Sequence, residues 1–387
     1  MTRDRTGRHT VGPQRSQLAR RRSACFVPTE SLLIVTPPTI TVGTEHTETL
    51  GGNSAGNSTA QPNRPGVTLW RRQFPVDSEL IQRRSLLKVL LGTPALLALG
   101  GCEETASTGR LKAVWGRAGT FPGGLNKPRA MTIDHDDLIY IVDITARIQV
   151  FTTAGKFVRG WQTPVHTNGR PTGMSIDHRG NLLVADTHYF RVLTYSPTGE
   201  LLDTLGGTCG NGPGEFGFLT DIVEDSQGNW YVSEYGEYDR IQKFSPSRKF
   251  LLEWGGHGSE PAQFARPQSM AIDNRDQIWV ADACNHRIQV FDTSGRLLKL
   301  WGTHGDMPGE LAYPYGLTLD DSDHVFVSEF GNHRVQKFTL EGRSLGCWGT
   351  HGRSPGEVQN PWAVVRDSHN DIYVLDTGNH RVQCIQL

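Results

Sequence analysis

The sequence predicts an all-β protein, a six-bladed β-propeller whose ring is closed by an N-terminal strand pairing into the last blade. Three interleaved ladders carry that prediction. The first is an acidic residue followed, after a short gap, by Arg and then Ile or Val: Asp143 to Arg147, Asp186 to Arg191, Glu234 to Arg240, Asp282 to Arg287, Glu329 to Arg334, and Asp376 to Arg381. Successive arginines lie 44, 49, 47, 47 and 47 residues apart. The second ladder is Trp115, Trp161, Leu205, Trp254, Trp301 and Trp348; the third is Pro128, Pro171, Pro267, Pro314 and Pro361, with Leu219 in the third repeat. A period in the forties with several short strands per unit signals a propeller blade rather than a helical solenoid.

Each repeat reads as four strands. In the fifth these are 316–319, 325–328, 335–338 and 344–348, and the turns between them fall on Asp320-Asp321-Ser322-Asp323 and Glu341-Gly342. Asp, Ser and Gly supply tight-turn chemistry at those points. The last repeat runs out at Leu387 after its third strand, whereas Leu111 to Trp115 reads as a fourth strand with no blade of its own. Pairing the two closes the ring and leaves no open sheet edge.

Composition narrows the function classes. The 387 residues carry a formal net charge of −1, with 44 Gly and 21 Pro, the excess of turn residues that four turns per blade demand. The near-neutral total hides two opposite parts: 13 Lys+Arg and 8 Asp+Glu precede Gly109, against 26 and 32 after it, so the parts carry +5 and −6. The acidic larger part repels phosphate backbones, which argues against a nucleic-acid partner. Six cysteines (Cys25, Cys102, Cys209, Cys284, Cys347, Cys384) show no CxxC spacing, so neither a zinc knuckle, a thioredoxin-type site nor a dense disulfide framework is legible.

The first hundred residues read as an address. Residues 1 to about 68 are rich in Ser, Thr, Gly, Asn and Arg and lack periodicity, so 1–82 is expected to be a disordered leader or one assigned too early a start, with true translation beginning near Val76 or Leu80. Residues 83–102 contain Arg83-Arg84-Ser85-Leu86-Leu87-Lys88, an apolar stretch from Val89 to Leu99, and Gly100-Gly101-Cys102. The stretch is shorter than the roughly 20 residues of a permanent span. The segment resembles a bacterial twin-arginine export signal overlapping a lipobox, which implies export and lipid anchoring to the cell envelope on Cys102. Residues 103–110 then form a linker to the propeller, 111–387.

The repeats also resemble a known family. Asp282-Ala283-Cys284-Asn285-His286-Arg287-Ile288-Gln289, Glu329-Phe330-Gly331-Asn332-His333-Arg334-Val335-Gln336 and Asp376-Thr377-Gly378-Asn379-His380-Arg381-Val382-Gln383 are similar to NHL repeats. That resemblance implies the fold strongly and the function weakly, because the family mixes enzymes, protein binders, RNA binders and sensors. One enzyme resembling this array, the lyase that cleaves peptidyl-hydroxyglycine, holds an axial zinc with histidines directly after the strand-opening Pro. The matching positions here are Arg129, Thr172, Thr220, Gln268, Tyr315 and Trp362, and none is a histidine. A catalytic role is therefore not expected, and no cofactor is; zinc or calcium enters only under an alternative, a lyase- or lactonase-like enzyme with a non-standard axial site.

Two histidine ladders, His257/His304/His351 and His286/His333/His380, recur at the blade period, so members of one ladder lie in different blades and read as structural. The turns lack EF-hand spacing, and no Gly-x-Ser-x-Gly elbow or phosphate loop occurs in the propeller.

Since the fold explains repeat-wide residues, positions that break the repeat are the better site candidates. The second blade has His188-Tyr189-Phe190 and the third Tyr235-Gly236-Glu237-Tyr238-Asp239 where later blades have Gly-Asn-His. His188, Tyr189, Tyr235 and Tyr238, with Tyr315 and Trp362 and with Arg129 as the one axial cation, are expected to rim a ligand pocket on the loop-rich face. The partner expected there is a protein, peptide or glycan, the chain is expected to be a monomer, and the membrane is met through the lipid anchor only.

Overall fold

A computed structural model describes residues 109–387; the export and lipidation segment, Cys102 included, lies outside the described residues. The described residues fold into six four-stranded antiparallel sheets. Blades 1 to 5 run through 128–162, 173–206, 218–255, 267–301 and 314–348, each in simple up-and-down order from axis to rim. Blade 6 takes three strands from the end of the chain (Ala363–Arg366, Ile372–Asp376, Arg381–Gln386) and its outer strand from the beginning, Arg110–Trp115. The register runs from Arg110 opposite Gln386 to Trp115 opposite Val382, with a bulge between Leu111 and Ala113.

Each ladder has its own physical task. The tryptophans join blades: a Cβ added at Gly155, whose φ of +78° already excludes most side chains, would stand 2.3 Å from the Trp115 ring. Trp161, Trp254 and Trp301 meet Gly199, Gly295 and Gly342 in the same way. Pro128, Pro267 and Pro314 open their inner strands and, with Leu219 in the third repeat, mark a bulge, whereas Pro171 and Pro361 precede strands that begin at Gly173 and Ala363. The pairing slips between Pro128 and Ala130, Leu219 and Asp221, Pro267 and Ser269, and Pro314 and Gly316. A bulge leaves the residue inside it unpaired and re-aims its side chain, and that residue is Arg129, Thr220, Gln268 or Tyr315.

The acid and arginine ladder ties loops to blades. In blade 4 the Arg287 Nε donates to Asp282 Oδ2 (2.8 Å), while its terminal nitrogens donate to the carbonyls of Ser259 (2.6 Å), Glu260 (2.9 Å) and Gln263 (2.8 Å). The arginine thus fastens the long incoming connection, beyond closing the loop between second and third strands. On the opposite face the blades are linked by His178 to Glu224, Ser226 to Asp276, Arg275 to Asp323, Arg366 to Asp321 and Ser368 to Asp137.

Candidate functional site

The inner strands surround an axial cavity of about 310 Å³ to which all six blades contribute. Its loop-face end is built by Arg129, Thr172, Gln268, Tyr315 and Trp362, and its walls include Thr132, Ser175, Ser269 and Thr318. Five of the six residues following the strand-opening position therefore meet there. Thr220 is the exception: fully buried, its hydroxyl is bonded to Ser233 Oγ (2.7 Å) and to the Pro267 carbonyl, so it holds blade 3 to blade 4 instead.

Two further corrections concern the aromatics. Tyr315 and Trp362 are 1% and 8% exposed, so they form the buried floor of the mouth rather than an open rim. They meet edge to face at 5.0 Å, with Phe330 stacked on Tyr315 at 4.6 Å. Tyr189 and Tyr238 do not line the cavity; each lies under the repeat arginine of its own blade, Arg191 at 5.1 Å and Arg240 at 5.3 Å. His188 and Tyr235 do not line the cavity either, but they stand beside its mouth, near enough to Arg129 to interact with its charge. Phe218 stands between them, 5.4 Å from each ring.

Arg129 is also not the one cation there. Its guanidinium lies over Trp362 at 4.9 Å, and the guanidinium of Arg266 lies over Tyr235 at 4.7 Å and Tyr315 at 5.4 Å. Arg266 Nε also donates to Gln268 Oε1 at 2.8 Å. Arg170 completes the group. Burial first, then the like charges of Arg170 and Arg266, push the Arg129 guanidinium below its ordinary value. Burial and the same cations, Arg129 ahead of Arg170, hold His188 low as well, so it is a neutral imidazole at physiological pH.

Arg170, Phe218 and Arg266 all precede the strand-opening residue. Reading both sides of each Pro, rather than only the following position, would have found them. One acidic side chain lines the cavity. Asp221 is buried, accepts the N–H groups of Met270 (2.8 Å) and Ile222 (2.9 Å), and is pushed up to about 7 by burial.

The two histidine ladders meet in pairs. His286 lies 4.2 Å from His304 and His333 lies 4.3 Å from His351, ring centre to ring centre. The Nδ1 atoms of His286, His333 and His380 accept the N–H groups of Tyr313 (3.1 Å), Asn360 (3.1 Å) and Lys127 (2.9 Å), each at the entry to the next blade. No group of three or more His, Cys, Asp or Glu is placed to hold a metal among the described residues. The six positions that match the lyase histidines likewise carry no imidazole, so they do not fit its axial zinc, and the histidine that lines the cavity, His135, stands elsewhere in its wall. Cys209, Cys347 and Cys384 are free thiols.

Six four-stranded blades around an axial cavity define a β-propeller. Three of its repeats match the NHL repeat model, at residues 264–291, 311–338 and 358–385. The rat peptidylglycine alpha-amidating monooxygenase is 40% identical over 128 residues, which is 30% of this chain and 13% of that protein. The human NHL repeat-containing protein 3 is 33% identical over 166 residues, 39% of this chain and 47% of that one. The chain thus spans less than half the length of these relatives. Among solved structures, a gluconolactonase from Xanthomonas campestris superposes with a TM-score of 0.53 at 12% identity, covering 68% of this chain and 86% of that one, a likeness of fold alone.

Proposed function

We propose that this protein is a binding module that seats a protein, peptide or glycan at the loop-rich mouth of its axis. The observation that supports it best is the gathering of Arg129, Arg170, His188, Tyr235 and Arg266 above a floor of Tyr315 and Trp362. Aromatic and Arg side chains dominate recognition energetics, and the positions that would carry lyase histidines hold other residue types. Export and attachment to the envelope through lipid on Cys102 belong to the same reading, supported by the sequence of residues 83–102. So does a monomer that meets no nucleic acid, supported by the −6 charge of residues 109–387.

Screening the full chain against peptide and glycan arrays tests this. Tyr235→Ala, at a half-exposed ring, is expected to abolish the binding seen with the parent while leaving the melting temperature nearly unchanged. Binding that survives the substitution would place the ligand elsewhere. A second reading, an enzyme of lyase or lactonase type, is supported by the similarity to peptidylglycine alpha-amidating monooxygenase. Stoichiometric zinc or calcium in the purified protein together with turnover of a peptidyl-hydroxyglycine or a lactone would favour it.

A further inference from the structure

The fold supplies its own control for what a structural arginine looks like. All six repeat arginines are paired with a buried carboxylate of their own blade: Arg147 with Asp143, Arg191 with Asp186, Arg240 with Glu234, Arg287 with Asp282, Arg334 with Glu329 and Arg381 with Asp376. Arg129 departs from that rule. Among the described residues no carboxylate is bonded to it, although it is half-buried and has other arginines for neighbours. In a region carrying −6 overall, like charges gathered at one mouth are held against their own repulsion, and an anion from outside would relieve it.

The manner of holding selects the anion. Arg129 lies on the face of Trp362, and Arg266 lies between Tyr235 and Tyr315. At Arg129, stacking on the Trp362 face orients the guanidinium plane without consuming its N–H groups, and an in-plane N–H fork matches the two oxygens of a planar carboxylate. Arg170 is brought alongside by close packing. A Cβ added at Gly169 would stand 2.1 Å from the His188 side chain, so only glycine lets the preceding connection approach this closely.

We propose that the mouth is a carboxylate-binding site, in which Arg129, flanked by Arg170 and Arg266, takes the carboxylate of a small organic acid whose body enters the axial cavity. This rests on the reading of the mouth as the ligand seat and names the ligand's chemistry. The cavity, about 310 Å³, stands at the lower end of the range for small-molecule pockets. Its one acidic lining residue, Asp221, is bonded to two backbone N–H groups and is protonated below neutrality, where it does not oppose a bound anion.

The test follows the His188 imidazole of the full chain by NMR, because His188 is held low partly by Arg129 and Arg170. Benzoate and succinate are each compared with the corresponding amide, and with inorganic phosphate, at one ionic strength below neutral pH. Either acid is expected to raise the His188 pKa by on the order of one unit, as cancelling a nearby like charge does, and the amides to leave it unmoved. Arg129→Gln and Arg170→Gln should each weaken that acid at least tenfold. Amides binding as well as acids, phosphate acting in their place, or no response to either acid overturns the inference. If neutral peptides or glycans still bind in a Tyr235-dependent way while carboxylates do not, this inference falls and the binding-module reading stands. If no ligand of either kind depends on the mouth, both fall.

Discussion

Arg334 and Glu329 face each other across the ends of two neighbouring strands, the Arg334 Nε donating to Glu329 Oε1 at 2.6 Å with the carboxylate fully buried. The other nitrogens of Arg334 reach the carbonyls of Asp306, Met307 (3.1 Å) and Glu310 (2.9 Å) in the connection arriving from the previous blade. Glu329 also accepts from Asn332 Nδ2 (2.6 Å), Gln336 Nε2 (2.7 Å) and the Ala312 N–H (2.9 Å). One pair therefore fixes a loop, a turn and a strand. Removing a partner from a buried charged pair costs about 3–5 kcal/mol, because the other charge is left uncompensated.

Arg334→Ala should accordingly destabilise the propeller by about that amount, and Arg334→Lys should rescue little of it, since an ammonium cannot reach the planar array of acceptors. Chemical denaturation of the two variants checks this. A loss under about 1 kcal/mol for either, the range of exposed ion pairs, would show that the pair behaves as a surface contact.

The histidine links between blades predict acid sensitivity. His286 and His333 accept a hydrogen bond at Nδ1 and must be neutral to do so. Burial, and then the facing imidazole of His304, pushes His286 down to about 4; burial and His351 likewise lower His333, against a weaker opposing pull from Asp376. Their folded-state values lie below the unfolded one, near 6.5. Their contribution is present above pH 6.5 and is lost as pH falls towards 4. Asp221 has the opposite sign: raised from 3.8 to about 7, it contributes stability below pH 4 that is lost as pH rises through 7. Melting temperatures between pH 4 and 8 should fall less steeply on the acid side in His286→Gln, and decline less towards neutrality in Asp221→Asn. Unchanged slopes in both variants would remove these groups from the account.

Closure of the ring predicts a truncation effect. The strand Arg110–Trp115 supplies the outer edge of the last blade, Lys112 is paired with Asp371, and Trp115 packs on Gly155 of the first blade. Deleting residues 109–116 from the full chain would expose the edge of Arg381–Gln386 and remove the packing that joins first blade to last. The expected result is a melting temperature lower by on the order of 10 °C, consistent with losing several kcal/mol in a protein of this size. Unchanged melting would count against closure by this strand.

Much of the architecture was legible because each blade repeats the same physical solution. Trp beside a positive-φ Gly, Pro before a bulge, and acid with Arg under a loop each recur at the blade period, so periodicity alone located strands, turns and seams. The candidate site was legible only in part. Departures from the repeat pointed to His188 and Tyr235, and the position after Pro pointed to Arg129, Tyr315 and Trp362. The same logic placed Thr220 on the axis, where its hydroxyl is in fact spent between blades. It also passed over Arg266 and Phe218, which lie on the other side of the strand-opening residue from the bulge.

The sequence by itself determined the number of blades and their four-strand order, because these depend on which residue types recur and at what spacing. Tertiary structure decided which side chains share a space. His286 and His304 belong to separate ladders and stack at 4.2 Å, and Arg129 and Trp362 lie more than two hundred positions apart and stack at 4.9 Å. Closing a ring brings side chains from distant blades together, so that burial shifts Arg129, His188 and Asp221, with like-charge repulsion adding to it at Arg129 and His188, in ways no local sequence pattern encodes.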